Sequence, residues 1–211
     1  MREARARNEQ VHLGYLFGIC VEKNSEMSPE LRKYKYRVVF QGNRVVDQNY
    51  EAAIFQDLGS TPATIEASRV ADAFGAQDGW ATEVADAEQA YVQADMKGTS
   101  TWVCLPPNQR RGKAANMTQP VYNLKKALYG HPDAGTFWEE KCDQHVRKVG
   151  FEPVGEEWPS CYVHKRMNLF LVIYVDDFQD VGSYQITVTR VEATAQRLVH
   201  RTRTRNRKIR H

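Results

Sequence analysis

The sequence predicts an α+β fold in which an antiparallel sheet is backed by helices. Three observations predict it. Apolar and β-branched runs recur in pairs separated by short polar turns, as strands returning beside their neighbours do. Segment 133–149 instead carries apolar residues at three- and four-residue spacing, the period of a helix with one buried face. No glycine-rich loop of the kind that cradles phosphates follows a strand, which speaks against a parallel doubly wound sheet.

Taken in order, His12–Val21 reads as the first strand and Tyr34–Gln41 as the second, joined into a hairpin by the polar turn Asn24–Arg32. Thr61-Pro62 reads as a helix start, because proline is pre-set for the first helical position. Ile65, Val70, Ala73 and Phe74 supply the apolar side of that helix and Gly75 its end. Trp80–Ala85 reads as a strand running into Asp86, with a short helix from Ala87 to Ala94 behind it. Trp102–Leu105 and Val121–Leu124 are further strand-like runs. In the helix Asp133–Val149 the stripe is Ala134, Phe137, Trp138, Cys142, Val146 and Val149, and Gly150 supplies the stop. Ser160–His164 and Leu169–Val175 read as strands, with Phe178–Val181 returning antiparallel across a bend at Asp176 and Asp177. Past Gly182 the pattern fades, although Val191, Ala195, Leu198 and Val199 permit a short helix.

A chain of 211 residues, 42% hydrophobic, can bury a core. No run approaches eighteen apolar residues, so no membrane span is expected, and the polar, Arg-rich start does not read as a secretory leader. The net charge of +3 conceals an asymmetry: residues 190–211 carry about +7 and the remainder about −4. That basic end either binds phosphate backbones without sequence preference or is a solvated, disordered tail. Cys20, Cys104, Cys142 and Cys161 are widely spaced and read as reduced thiols of an intracellular protein, cytoplasmic or nuclear. Cys142-x-x-His145 and Cys161-x-x-His164 superficially resemble a zinc pattern. Three-apart residues share a face on a helix but point to opposite faces of a strand, which makes a tetrahedral site awkward.

Asp176 and Asp177 follow the strongly β-forming run Leu169–Val175 and fall at an expected turn. Two carboxylates there form either a solvated bend or part of a hard-cation site, since Mg²⁺ takes oxygen ligands from carboxylates and phosphates. A two-metal site needs a third carboxylate from a neighbouring strand. Asp86, at a strand-to-helix junction, is a candidate for that role and equally for a helix cap.

Several blocks, in order, resemble the reverse transcriptases of copia-type retrotransposons. Tyr174-Val175-Asp176-Asp177 matches the family's Tyr-x-Asp-Asp signature, and Lys35-Tyr36-Arg37-Val38-Val39-Phe40-Gln41-Gly42 resembles its fingers block. Thr64 through Ala76, then Trp80, resembles the helix leading into the first palm strand. Asp86-Ala87-Glu88-Gln89-Ala90-Tyr91-Val92 is similar to its Asp-Val-Lys-x-Ala-Phe-Leu block, and Leu124-Lys125-Lys126-Ala127-Leu128-Tyr129-Gly130 to its Leu-x-Lys-Ala-Leu-Tyr-Gly block, with Trp138 where that region ends. The resemblance implies a fingers–palm fold with an antiparallel palm sheet backed by helices. It implies that Asp86, Asp176 and Asp177 hold two catalytic Mg²⁺ ions, with the carbonyl of Ala87 assisting. Tyr91 would be the steric gate that excludes a ribose 2′-hydroxyl, and Lys35 and Arg37 would contact the triphosphate of the incoming dNTP. The implied partners are an RNA or DNA template with its primer and the remainder of a Pol polyprotein, with no membrane.

Where the family usually continues Leu-Lys-Gln-Ala-Pro-Arg after Tyr-Gly, this chain has His131-Pro132-Asp133-Ala134-Gly135-Thr136, which removes two basic residues. No thumb is recognised. The expected organisation is a disordered N-terminus at 1–12, a fingers-like part at 13–79, a palm-like catalytic part at 80–183 and a basic, disordered tail at 184–211. The expected function is RNA-directed DNA synthesis, in a copy that is truncated and either active or formerly active. The alternatives are a noncatalytic nucleic-acid-binding remnant that uses the basic tail and a fragment without present function.

Overall fold

The computed structural model describes residues 1–55 and 59–183, together with the backbone of Arg205 and Asn206. In chain order the elements are α1 (Arg2–Ala6), β1 (Val11–Lys23), β2 (Lys33–Phe40), α2 (Ile65–Gly75), β3 (Trp80–Asp86), α3 (Ala90–Gln93) and β4 (Ser100–Cys104). They continue with β5 (Val121–Asn123), α4 (Ala134–Lys148), β6 (Glu152–Pro153), β7 (Cys161–His164), β8 (Leu169–Tyr174), β9 (Asp177–Ser183) and β10 (Arg205–Asn206). The mixed α+β class is as expected. Two compact units divide the chain, Met1–Asp57 with Ala94–Ala134 and Leu58–Gln93 with Gly135–His211. The sequence, read in order, suggests contiguous parts, whereas both units are discontinuous.

The first unit holds a four-stranded sheet in the order β2-β1-β4-β5. The predicted hairpin forms, with Leu16 opposite Phe40 and Lys23 opposite Lys33. β4 lies parallel to β1, the one departure in this sheet from antiparallel pairing, because the chain reaches β4 only after passing through the other unit. Phe40, Val45 and Val103 form the core. Residues 1–12, expected to be disordered from their polarity, hold α1 and the start of β1 instead. Ala4 is buried, and the Arg5 guanidinium lies 5.0 Å from the centre of the Tyr50 ring, contacts that local composition does not announce.

The second unit holds a six-stranded sheet in the order β10-β3-β9-β8-β7-β6, and every pairing in it is antiparallel. Helix α4 covers one face: Trp138, Cys142 and Val146 pack with Ala85, Leu171, Ile173 and Phe178. Helix α2 covers the other, and its packing corrects the sequence reading. Ile65 and Phe74 are exposed, and the buried residues are Ala67 and Ala71, which pack with Ala63, Val172 and Val181. Small side chains let the helix approach the sheet closely. At Gly75 the fit is tight enough that an added Cβ would strike the Thr82 side chain. Val70 and Phe74 line instead an apolar cavity of about 540 Å³ with Trp80, Trp158 and Phe170. The helix also starts later than Thr61-Pro62 suggests: Thr64 is the N-cap, its hydroxyl accepting from the Ala67 amide at 3.2 Å.

Cys142 belongs to the core on the α4 side and Cys161 to the core on the α2 side, while His164 packs against Phe151 on the α4 side, so the sheet separates Cys161 from the other three. Among the described residues no helix is long and apolar enough to cross a membrane. The expected basic tail and the short helix at 191–199 lie outside the described residues, apart from the Arg205–Asn206 backbone beside β3.

Candidate active site

β8 and β9 form a hairpin whose closing pair is Tyr174 and Asp177, leaving Val175 and Asp176 as a two-residue connection. Such connections require positive φ at their first central residue, a conformation that glycine adopts without strain. Here Val175 takes it, at φ +56°. A β-branched residue in that region costs on the order of 1–3 kcal/mol and persists only where surrounding structure holds it. Two donors do so. The Trp138 indole Nε1–H donates to the Val175 carbonyl at 2.6 Å, and the Ala87 amide donates to the Asp176 carbonyl at 2.7 Å.

The second bond ties the turn to the end of β3. β3 and β9 are antiparallel neighbours with Asp86 opposite Asp177, so the two side chains leave the same face of the sheet. The structure therefore brings Asp86, Asp176 and Asp177 to one sheet end. Burial pushes the Asp177 carboxyl above its ordinary range, and the charges of Asp176 and Asp86 push it further. Among the described residues no three His, Cys, Asp or Glu side chains already stand close enough to share one ion. The three carboxylates thus form an open acidic edge. Its hard oxygen donors and mutual repulsion suit a divalent cation, which would relieve that repulsion.

Tyr91 lies on α3, half-buried against the α4-side core. Burial raises its phenol pKa, and the charges of Asp176 and Glu139 raise it further, which sets Tyr91 electrostatically beside the turn. The helix predicted over Ala87–Ala94 is reduced to the single turn of α3, and the Ala87 amide is engaged by the Asp176 carbonyl instead. Lys35 and Arg37 are exposed on β2 in the first unit, opposite Val21 and Ile19.

His131, at the departure from the family pattern, is buried in the first unit. Its Nδ1 accepts from the Asp133 amide at 3.2 Å, which leaves Nε2–H to face the Thr101 hydroxyl at 3.2 Å. Burial, then His12, lowers its pKa to about 4, so it is a neutral packing residue at ordinary pH.

A family model described as reverse transcriptase (RNA-dependent DNA polymerase) matches residues 19–198. The chain belongs to that family. No curated protein matches the chain.

Two features of this reverse-transcriptase domain escape sequence reasoning. Trp138 reads as core from its place in the α4 stripe, and it is core, but nothing local shows where its N–H points. Glu83 and Asp180 form the other feature. They face each other across β3 and β9, three positions in from Asp86 and Asp177, and are buried on the opposite face. Burial, then Glu83, pushes Asp180 up to about 7. The odd spacing Asp177-x-x-Asp180 on one strand is the available signal, because it assigns the two residues to opposite faces.

Proposed function

We propose that this chain is the RNA-directed DNA polymerase domain of a copia-type retrotransposon, with the second unit as its palm-like catalytic part and the first as fingers. The observation that carries this reading is the register pairing of Asp86 with Asp177, beside a turn that presents Asp176. Asp86, Asp176 and Asp177 would hold two Mg²⁺ ions. Those ions, when bound, supply activation of the attacking oxygen and charge stabilisation of the leaving one. The chain's own part is positioning. Asp86 and Asp177 leave adjacent strands of one sheet, so their separation is set by backbone pairing, and Asp176 stands in the tight connection beside them. Tyr91 stands beside Asp176 with a neutral phenol and would pack against the sugar of a deoxynucleotide. Lys35 and Arg37 would donate charge-assisted hydrogen bonds to the triphosphate, an assignment that rests on the resemblance alone. The substrates are then a primer on an RNA or DNA template and dNTPs.

Primer extension on poly(rA)·oligo(dT) with Mg²⁺ tests the reading. Wild type is expected to incorporate dTMP, and Asp176→Asn to lose that activity. No incorporation by wild type, or equal incorporation by both, overturns it.

A second reading, noncatalytic nucleic-acid binding, is favoured by the charge of about +7 over residues 190–211. Deleting 190–211 should then weaken RNA binding and flatten its salt dependence. Unchanged binding and slope would exclude this role.

A further inference from the structure

We infer that Trp138 is a positioning residue, whose indole N–H holds the Val175 carbonyl so that a strained turn presents Asp176 and Asp177 in one orientation. The inference rests on the polymerase reading, which gives that orientation its purpose. Three observations converge on it. Trp138 is almost fully buried, on a helix that packs against the sheet, so its ring cannot swing. Its one polar atom makes a 2.6 Å hydrogen bond, and it makes it with the turn. The carbonyl it holds belongs to the residue at φ +56°, the point from which a valine backbone would otherwise relax. The Ala87–Asp176 bond pins the other side of the turn to β3, so the two connection residues are each held by a different element. If the indole bond is lost, one of the two bonds that hold the strained turn goes with it, and the direction of the Asp176 carboxylate, which follows Val175 in the connection, changes.

Trp138→Phe keeps an aromatic ring in the core and removes only the donor. It is expected to weaken Mn²⁺ binding, followed by paramagnetic relaxation of water protons, and to lower kcat by about 10-fold, with KM for dTTP unchanged. Val175→Gly accepts positive φ without strain, so adding it to Trp138→Phe is expected to restore most of both losses. Val146→Ala opens the same core without touching the turn and should leave Mn²⁺ affinity as in wild type. The inference is overturned if Trp138→Phe retains wild-type Mn²⁺ affinity, if Val146→Ala lowers it equally, if glycine at 175 restores nothing, or if wild type binds no Mn²⁺. Mn²⁺ binding without incorporation by wild type would instead sink the polymerase reading, with the Mn²⁺ series still deciding the role of Trp138.

Discussion

Strands β3 and β9 carry two acidic pairs, and the contrast between them shows how a sheet separates chemistry from structure. Asp86 and Asp177 face each other at the open end of the strands, exposed and next to Asp176. Glu83 and Asp180 face each other three positions further in, on the opposite face and buried with the α4-side core. Both are directly opposed acidic pairs on the same two strands. At the exposed end water screens the repulsion, and the carboxylates remain available to a cation. In the interior the cost of burying charge is met by holding a proton, which is why Asp180 is pushed up to about 7.

The largest expected effect lies at the exposed pair. Asp177→Asn should reduce Mg²⁺-dependent incorporation by on the order of 1000-fold, while Asp180→Asn keeps most of it. Equal losses in primer extension would erase the distinction between the pairs. The second effect concerns stability against pH. The folded state keeps a proton on Asp180 that the unfolded chain releases near its ordinary value. The stabilisation is therefore complete below about pH 4 and is lost as pH rises through about 7. Urea unfolding from pH 5 to pH 8 should show wild type losing about 3 kcal/mol, with Asp180→Asn removing most of that slope. A flat wild-type profile would mean that the interior pair is not proton-linked.

A smaller change is expected when Asp177→Asn is followed by unfolding rather than by activity. Relief of repulsion should raise stability by less than about 1 kcal/mol, because solvent screens the exposed pair. A marked loss of stability would show that Asp177 is structural. The smallest effect concerns Gln179, which lies between the pairs along β9 and donates to Asp72 of α2 at 2.8 Å. Gln179→Ala should cost about 0.5–1 kcal/mol in the same unfolding assay and leave incorporation unchanged.

Much of this was legible from local pattern. The β1–β2 hairpin, the α4 stripe and the β8–β9 return all follow from side-chain period and turn composition, which are properties of neighbouring residues. The buried face of α2 was not. Its large apolar residues, Val70 and Phe74, line a cavity while Ala67 and Ala71 meet the sheet, because close approach favours small residues over hydrophobic ones. The start of α1 and the return of 94–134 to the first unit were equally hidden, since both depend on partners far away in sequence.

The candidate site divides in the same way. By itself the sequence determined the strand that ends in Asp86, a turn that it placed at Asp176–Asp177, one residue later than the Val175–Asp176 connection, and, through ordered motifs, the reverse-transcriptase family. Those signals lie within a few residues of one another or in linear order. Only the tertiary structure decided that Asp86 is in register with Asp177, that Glu83 and Asp180 share the interior, and that the Trp138 indole reaches the Val175 carbonyl. Pairing register and hydrogen-bond direction are set by how helices and strands distant in sequence pack together, and a one-residue slip would send each of these side chains to the other face.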